Sequence, residues 1–282
     1  MFSIEASVDS CFNNVYVTFT VTDASGEVFE SVASDYTIDE SNGRYVFVYE
    51  GINPQLMGDT IVATLTGTLN GVQVTFSYEY SVISYCQKQL DKATNTAEFK
   101  TLLSDMLVYG AKAQILQKYN TDQLVTDLVT GLTPSTFPGS DELVKGQVVG
   151  NTELKNDIAD VKTASLALSN KVGINFGMAL DNPSLYTYQV TVNGETTAYT
   201  ESDLSYNETN GRYYLEVSVL ATEFDTPVTL IILKDGVQVS RSLTYTANTY
   251  IKANCDKGDA MADVLQALYN FGKSSEAYKN SL

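Results

Sequence analysis

Alternating apolar and polar residues mark the strands of this chain. Between Val15 and Val21 every second residue is apolar, and threonines and Tyr16 occupy the other face, which predicts a half-buried antiparallel strand. Segments 45–49, 60–68 and 72–82 are similarly rich in β-branched and aromatic residues. The dipeptides suited to tight hairpin turns are Asn42-Gly43, Asn70-Gly71, Asn193-Gly194, Asn210-Gly211 and Asp235-Gly236. Short strands with such turns predict a small immunoglobulin-like β-sandwich.

After each group of strands the pattern takes a helical period. Apolar residues at i, i+3 and i+4 predict a helix from about Thr96 to Tyr119, with Asn95 as its N-cap and Glu98 as the reciprocal partner. A shorter helix near residues 84–92 would complete an αα-hairpin. Gly110 and Gly272 fall inside predicted helices, where glycine costs about 1 kcal/mol relative to alanine. We therefore expect close backbone approach to a neighbouring helix or sheet at both glycines.

The same order of segments occurs twice along the chain. Residues 42–45 recur as residues 210–213, both reading Asn-Gly-Arg-Tyr, and Asn70-Gly71-Val72 has a counterpart in Asp235-Gly236-Val237. In the helical part, the residues that align without a gap are Phe99, Leu102, Leu103, Met106, Tyr109 and Gly110 with Met261, Val264, Leu265, Leu268, Phe271 and Gly272. Collinear matches of this kind predict a duplicated unit.

These patterns together predict an α+β, mostly β fold with two copies of an immunoglobulin-like antiparallel β-sandwich followed by an αα-hairpin. The predicted bounds are 1–83 for the first sandwich, 84–130 for the first hairpin, 131–162 for a linker, 163–247 for the second sandwich and 248–282 for the second hairpin. Turn signals in residues 131–134 and 137–140 indicate the linker. Leu124, Val125, Leu128 and Val129 indicate a further helical turn before it.

Composition and charge narrow the classes of partner. The 282 residues are 44% apolar and 18% charged, as expected of a globular protein. A net charge of −17 repels nucleic acid and anionic lipids, and such a charge also keeps a protein soluble. The longest aliphatic run, Leu230–Leu233, is too short to span a membrane. We expect a monomer that neither binds nucleic acid nor inserts into a membrane through this segment.

The absence of histidine excludes the catalytic chemistries that depend on it. Ser-His-Asp and Cys-His sites, histidine zinc sites and the H-E-x-x-H motif all require this residue. Carboxylate pairs could support glycoside hydrolysis, but 34 acidic residues make pairs frequent by chance. The pairs considered are Asp39-Glu40, Asp141-Glu142, Glu201 with Asp203, and Glu223 with Asp225. The sequence therefore predicts a protein that is not an enzyme, with no catalytic residue.

Metal and cofactor sites are not indicated either. The acidic segments 35–42 and 256–263 lack the alternation and fixed glycine of an EF-hand loop. Cys11, Cys86 and Cys255 have no metal-ligand spacing, and we expect each to be a small buried apolar residue. We predict no cofactor and no metal.

The 19 tyrosines, in a chain without tryptophan, are the strongest compositional hint of binding. Tyrosine suits protein-binding surfaces and sugar stacking. Tyr45, Tyr49 and Tyr213 have the spacing of a buried face, so the exposed tyrosines must lie elsewhere. The sequence does not identify the ligand-binding residues.

Several segments of the first copy resemble a repeat of large secreted or wall-attached proteins of Gram-positive gut bacteria. The matching segments are residues 43–47, 51–52, 57–65, 80–82, 85–86 and 105–114. In that family an Ig-like sandwich leads through a Tyr-Ser-Val stretch into a helical pair with a Met-Leu-x-Tyr-Gly-Ala-x-Ala-Gln core. The second copy departs from this pattern at residues 271–275, which read Phe-Gly-Lys-Ser-Ser. The resemblance implies a bacterial cell-surface context, and it supplies no catalytic or binding residues.

In that context we expect a non-catalytic, extracellular binding module that captures a host secreted protein. Immunoglobulin, bound in a superantigen-like manner, is the leading candidate. We expect the chain to be a piece of a longer protein whose signal and anchor lie outside it. The alternatives are a structural spacer or stalk repeat of a surface adhesin, and a carbohydrate-binding accessory module, which the lack of tryptophan makes weaker.

Overall fold

Antiparallel sheets followed by helices make up both halves of the chain. The computed structural model describes residues 2–4, 12–23, 26–33, 35–39, 44–49 and 52–282. The chain divides into two compact units, unit 1 (Met1–Thr133) and unit 2 (Pro134–Leu282). The predicted α+β, mostly β class is confirmed. The predicted turn at Asn42-Gly43 and the side chain of Cys11 lie outside the described residues.

Unit 1 contains two antiparallel sheets in its described part. Its strands are β1 (Phe2–Ile4), β2 (Phe12–Thr22), β3 (Val28–Ala33), β4 (Thr37–Asp39), β5 (Arg44–Phe47), β6 (Thr60–Leu69) and β7 (Val72–Tyr80). They are arranged in the orders β4-β5-β1 and β3-β2-β6-β7. The alternation predicted for Val15–Val21 is confirmed, because Val17, Phe19 and Val21 form the buried core together with β6. Positive φ at both Asn70 and Gly71 makes the tight turn between β6 and β7.

The helices of unit 1 are α1 (Val82–Leu90) and α2 (Ala97–Gln117). A capping box starts α1, in which Ser81 and Ser84 each accept a hydrogen bond from the other's backbone N–H at 3.1 and 3.0 Å. The predicted cap of α2 is wrong by one residue. Thr96 Oγ1 accepts from the Phe99 N–H at 3.2 Å, whereas Asn95 donates to the Gln89 carbonyl at 2.8 Å. The Asn95 amide thus fastens the loop before α2 to the end of α1.

Residues 125–128 form a turn in the segment for which a helical turn was predicted. Val125 and Val129 are nonetheless buried in the cluster that α1 and α2 share. The Val125 N–H donates to Gln114 Oε1 of α2 at 2.9 Å, which fixes the segment on the helix. The chain after α2 is therefore part of the core of unit 1.

Unit 2 also contains two sheets, each with extra strands. Its strands are β8 (Val148–Gly150), β9 (Ala159–Leu168), β10 (Val172–Leu180), β11 (Thr187–Val192), β12 (Glu195–Tyr199), β13 (Ser205–Asn207), β14 (Arg212–Val219), β15 (Val228–Lys234), β16 (Val237–Gln238) and β17 (Ser242–Tyr245). The orders are β13-β14-β10-β9 and β12-β11-β15-β17-β8, with β16 paired to β15. The helices are α3 (Ala247–Asn254) and α4 (Ala260–Ser281).

The segment 131–162, which we expected to be a linker, contributes strands to unit 2. Its residues 148–150 pair with β17, and β9 begins at Ala159. The Gly146 N–H also donates to Thr249 Oγ1 at 2.6 Å. Strand β8 has only three residues and pairs with β17, which is far away in sequence, so its own residue pattern does not reveal it.

The described strands of unit 1 recur in unit 2 in the same order. The order β4-β5-β1 corresponds to β13-β14-β10, and β3-β2-β6-β7 corresponds to β12-β11-β15-β17. In both units a 3₁₀ turn, Pro54–Leu56 or Ala221–Glu223, precedes β6 or β15. The additional strands of unit 2 are β8 and β9. In unit 2 these two strands lie beside β17 and β10, and the described part of unit 1 has no counterpart of either.

The close approach predicted at the helical glycines is confirmed, but the neighbour is a 3₁₀ turn and not the expected helix or sheet. A Cβ on Gly110 would lie 3.1 Å from the Pro54 carbonyl oxygen and 2.8 Å from Met57 Sδ. A Cβ on Gly272 would lie 3.2 Å from the Ala221 carbonyl oxygen and 3.0 Å from Phe224 Cε2. Equivalent contacts at equivalent positions show that the second helix packs on the turn in the same way in each unit.

Candidate binding surface

Unit 1 exposes apolar and aromatic side chains along both outer strands of its four-stranded sheet. On β3 the exposed residues are Val28, Phe29 and Val32, and on β7 they include Phe76 and Tyr78. In register, Phe76 lies opposite the buried Leu65, and Tyr78 lies opposite the buried Ala63. Phe76 and Tyr78 therefore occupy core-side positions, yet each is 62% exposed. Exposed apolar side chains on the edge strands of a sheet are candidates for contact with a partner.

The equivalent positions in unit 2 are covered. Counting back from Tyr80 and Tyr245, which directly precede the caps of α1 and α3, Tyr78 corresponds to Leu243 and Phe76 corresponds to Arg241. Leu243 is only 5% exposed, and it pairs with Val149 of β8. The extra strands of unit 2 thus cover a surface that is open in unit 1.

A buried ion pair ties β9 to this region of unit 2. Asp160 is completely buried and accepts hydrogen bonds from Arg241 Nη2 at 2.7 Å and from Lys162 Nζ at 3.0 Å. Burial opposes ionisation of Asp160, but the hydrogen bonds from Arg241 and Lys162 outweigh it and hold the pKa of the carboxyl below its usual value. This ion pair is structural, because all three side chains are partnered within the fold.

A second polar cluster lies against the 3₁₀ turn of unit 2. Lys273 Nζ contacts Asp225 Oδ2 at 2.6 Å and Glu276 Oε2 at 3.1 Å, and Asn248 Nδ2 donates to Asp225 Oδ1 at 2.5 Å. These residues line a cavity of about 240 Å³ together with Tyr269. Asn248 Oδ1 is buried without a hydrogen-bond partner among the described residues.

The pKa shifts of Lys273 and Asp225 both favour the charged form of the side chain. Burial would lower the pKa of Lys273, but its hydrogen bonds to Asp225 and Glu276 raise that pKa above its usual value. Burial would raise the pKa of Asp225, but hydrogen bonds from Lys273 and Asn248 hold it below the usual value. A lysine kept protonated is a poor nucleophile or base, so the cluster suits fastening α4 and α3 to the turn.

Two of the acidic residues considered as catalytic candidates, Asp203 and Glu223, serve as local caps. Asp203 Oδ2 accepts from the Thr200 N–H at 2.8 Å, and Glu223 Oε2 accepts from the Leu220 N–H at 3.2 Å. Asp141 and Glu142 lie in a 3₁₀ turn. Glu40 and the side chain of Asp39 lie outside the described residues. Asp203 and Glu223 are thus used in turns.

Two of the cysteines behave as buried apolar residues, as predicted. Cys86 and Cys255 are free and completely buried, and burial raises the pKa of the Cys86 thiol to about 12. Across the described part of the chain, no group of three or more His, Cys, Asp and Glu side chains could hold a metal ion. The described helices include none that is long and apolar enough to cross a membrane.

The tyrosines divide between core and surface. Tyr45 and Tyr49 pack against the core of unit 1, and Tyr213 is partly buried. The large exposed aromatic residues in the described regions include Tyr36, Tyr78, Tyr85 and Tyr206. The sequence alone does not distinguish Tyr78 from the buried tyrosines, because the residues around it alternate as in any half-buried strand.

Comparison with family models, with curated proteins and with solved structures found no match to the chain.

Proposed function

We propose that this chain is a non-catalytic binding module of a bacterial cell surface, and that it captures a host secreted protein. Immunoglobulin, bound in a superantigen-like manner, is the leading partner. We also infer that units 1 and 2 are copies of one immunoglobulin-like sandwich with its helical hairpin. The shared strand order and the equivalent glycine contacts support that inference.

The observation that carries the proposal is the exposed apolar surface at the two outer strands of the unit 1 sheet. Val28, Phe29 and Val32 on β3, and Phe76 and Tyr78 on β7, present branched and aromatic side chains to solvent. Aromatic residues are enriched at protein interfaces, where they bury large areas at low entropic cost. Exposed apolar side chains lower the solubility of a protein. Their presence is explained if a partner covers them when it binds.

The carboxylates support a non-enzymatic role. Among the described residues, Asp160, Asp203, Glu223 and Asp225 accept hydrogen bonds from groups of the fold itself. Cys86 of α1 is completely buried, and its raised pKa makes it a weak nucleophile. The chain contains no histidine to act as a base.

The extracellular, Gram-positive setting is part of the proposal and is supported by the repeat-like segments of residues 40–120. We expect the chain to act there as a monomer, because a net charge of −17 disfavours self-association.

The test is a pull-down of the full chain against serum and mucosal secretions, read by mass spectrometry. We expect specific enrichment of immunoglobulin or another host secreted protein. A matched bait, the F76S/Y78S variant, keeps the net charge and should lose the enriched partner. Absence of any retained host protein would contradict the proposal and favour the spacer role; glycan-array binding would instead favour the carbohydrate-binding alternative.

A further inference from the structure

The outer face of one sheet of unit 2 forms a shallow polar cleft of about 610 Å³. The sheet has the order β13-β14-β10-β9. Ile174 and Phe176 of β10 are completely buried on its inner face, so Asn175 between them lies on the outer face. We call this site the outer cleft, and its lining includes Ser165, Asn175, Ser205, Tyr206, Asn207 and Tyr214.

The ring of Tyr214 lies across Gly177 of the neighbouring strand. Tyr214 and Gly177 are opposite each other in the register of β14 and β10. A Cβ on Gly177 would lie 3.0 Å from Cε1 and 3.4 Å from Cζ of the ring, and the Tyr214 hydroxyl accepts a hydrogen bond from Asn210 Nδ2 at 2.8 Å. Glycine within a strand often marks such a close approach. The ring is thus fixed along the sheet and offers a flat, rigid surface to a ligand.

Polar side chains of the outer cleft are not used by the fold. Ser165 and Asn175 lie opposite each other on β9 and β10, and their side chains make no hydrogen bond with another described residue. On the outer face of the other sheet of unit 2, by contrast, hydroxyls are paired across strands, as Thr229 is with Thr244 at 2.8 Å. An amide and a hydroxyl, which can both donate and accept, therefore remain available in the cleft.

Composition and charge indicate the class of ligand. Among the described residues that line the outer cleft, Glu208 alone is charged and none is aliphatic. A protein partner usually buries an apolar centre, and a net charge of −17 repels anionic ligands. Neutral sugars fit this lining, because their hydroxyl groups exchange hydrogen bonds with amides and hydroxyls while their apolar faces pack on aromatic rings.

We propose that the outer cleft of unit 2 binds a chain of neutral sugars. Tyr214 stacks on one sugar ring, and Asn175 and Ser165 exchange hydrogen bonds with its hydroxyl groups. Tyr206 is 54% exposed on the edge strand β13 and contacts a neighbouring sugar. From β9 to β13 the sheet is about 14 Å wide, which accommodates more than one sugar unit. This inference goes beyond the proposed capture of a host protein, because it concerns the other unit and another class of ligand.

The test is isothermal titration calorimetry of the full chain with cellohexaose, xylohexaose, mannohexaose and galactohexaose. We expect at least one of these neutral probes to bind. A hexamer of galacturonate should bind at least tenfold more weakly, because the acidic chain repels its carboxylates. Absence of binding to all the neutral probes overturns the proposal, and so does binding of the galacturonate hexamer as tight as that of any neutral probe.

Three variants locate the site. Y214A removes the ring and should weaken binding of the neutral probe at least tenfold, whereas Y214F keeps the ring and should retain most of the affinity. N175A removes the amide of the outer cleft and should also weaken binding at least tenfold. The control F76S/Y78S removes two aromatic side chains from unit 1 and should bind as the original chain does. Unchanged amide exchange of β10 and β14 in each free variant shows that the sheet remains folded.

The outcomes separate this site from the proposed function. Equal affinity of Y214A, N175A and the original chain overturns the outer cleft as a glycan site, even if the pull-down retains a host protein. Binding that both variants lose upholds the site even if the pull-down is blank. A host glycoprotein that F76S/Y78S retains and Y214A loses is held through its sugars, which upholds the outer cleft and contradicts the role proposed for the unit 1 surface.

Discussion

Gly272 shows how a single missing side chain lets a helix pack on a turn. A Cβ at this position would lie 3.0 Å from Phe224 Cε2 and 3.2 Å from the Ala221 carbonyl oxygen. Alanine gains about 1 kcal/mol of helix propensity, but overpacking of a rigid ring and a backbone atom costs about 1–3 kcal/mol. We expect G272A to destabilise unit 2 by about 1 kcal/mol, measured by urea dependence of amide exchange in α4.

Unit 1 provides the control for this substitution. There the equivalent neighbour is Met57, whose flexible Sδ lies 2.8 Å from the built Cβ of Gly110, and a flexible side chain can move aside. The double variant G272A/F224M should therefore recover most of the stability that G272A loses. Equal losses in the single and double variants would show that the backbone carbonyl, and not the ring, limits the approach.

Asp160 carries a completely buried charge in unit 2. Its carboxylate is buried and bonded to Arg241 and Lys162, and removing one partner of a buried pair costs about 3–5 kcal/mol. Because Arg241 and Lys162 are each about one-fifth exposed, we expect D160N to cost about 3 kcal/mol. Amide exchange in β9 and β17 reports the loss. The control D157N removes a fully exposed partner of Lys162 and should leave the stability nearly unchanged.

The Asp160 carboxylate also makes the stability of unit 2 depend on pH, and the direction of its pKa shift fixes the sign. The pKa of Asp160 is lower in the fold than its ordinary value, so its contribution is complete above the unfolded-state pKa of about 3.9. That contribution is lost as pH falls through the lower, folded-state pKa. The acid branch of the stability curve should consequently be shallower in D160N than in the original chain. An unchanged acid branch would assign the acid sensitivity to other carboxylates.

At the scale of elements, the sister strands β7 and β17 differ in what covers them. Strand β17 has β15 on one side and β8 on the other, whereas β7 has a described neighbour on one side only. We expect amides of residues 72–80 to include a fast-exchanging set that residues 242–244 lack, because unpaired edge amides exchange from the native state. Hydrogen exchange with peptide-level resolution measures this directly, and uniformly slow exchange across β7 would mean that another segment pairs with it.

The sequence pattern alone predicted the strands and helices whose apolar residues recur at a regular spacing. The alternation of residues 15–21 and the helical stripe of residues 96–119 predicted β2 and α2 closely. Strand β8 could not be predicted, because three residues reading Val-Val-Gly become a strand only beside β17. The exposed pair Phe76 and Tyr78 was hidden for a similar reason, since burial of a core-side position depends on a covering strand distant in sequence.

At the scale of the whole molecule, charge and exposed apolar surface oppose each other. At neutral pH a net charge of −17 keeps copies apart by repulsion, although β3 and β7 present apolar side chains. Near the sequence pI of about 4.2 that repulsion vanishes. Asp160 still carries its charge there, because its pKa lies below the usual value, so unit 2 should remain folded while the edges become able to associate.

We therefore expect light scattering to rise steeply as pH is lowered from 7 towards 4.2, with far-UV circular dichroism unchanged over the same interval. The F76S/Y78S variant has the same net charge and removes two exposed aromatic side chains of β7. Its scattering should rise less at every pH near the isoelectric point, because apolar edge pairing drives the association. Identical scattering curves would assign the association to loss of charge alone, and would leave β7 with no role in contacts between copies.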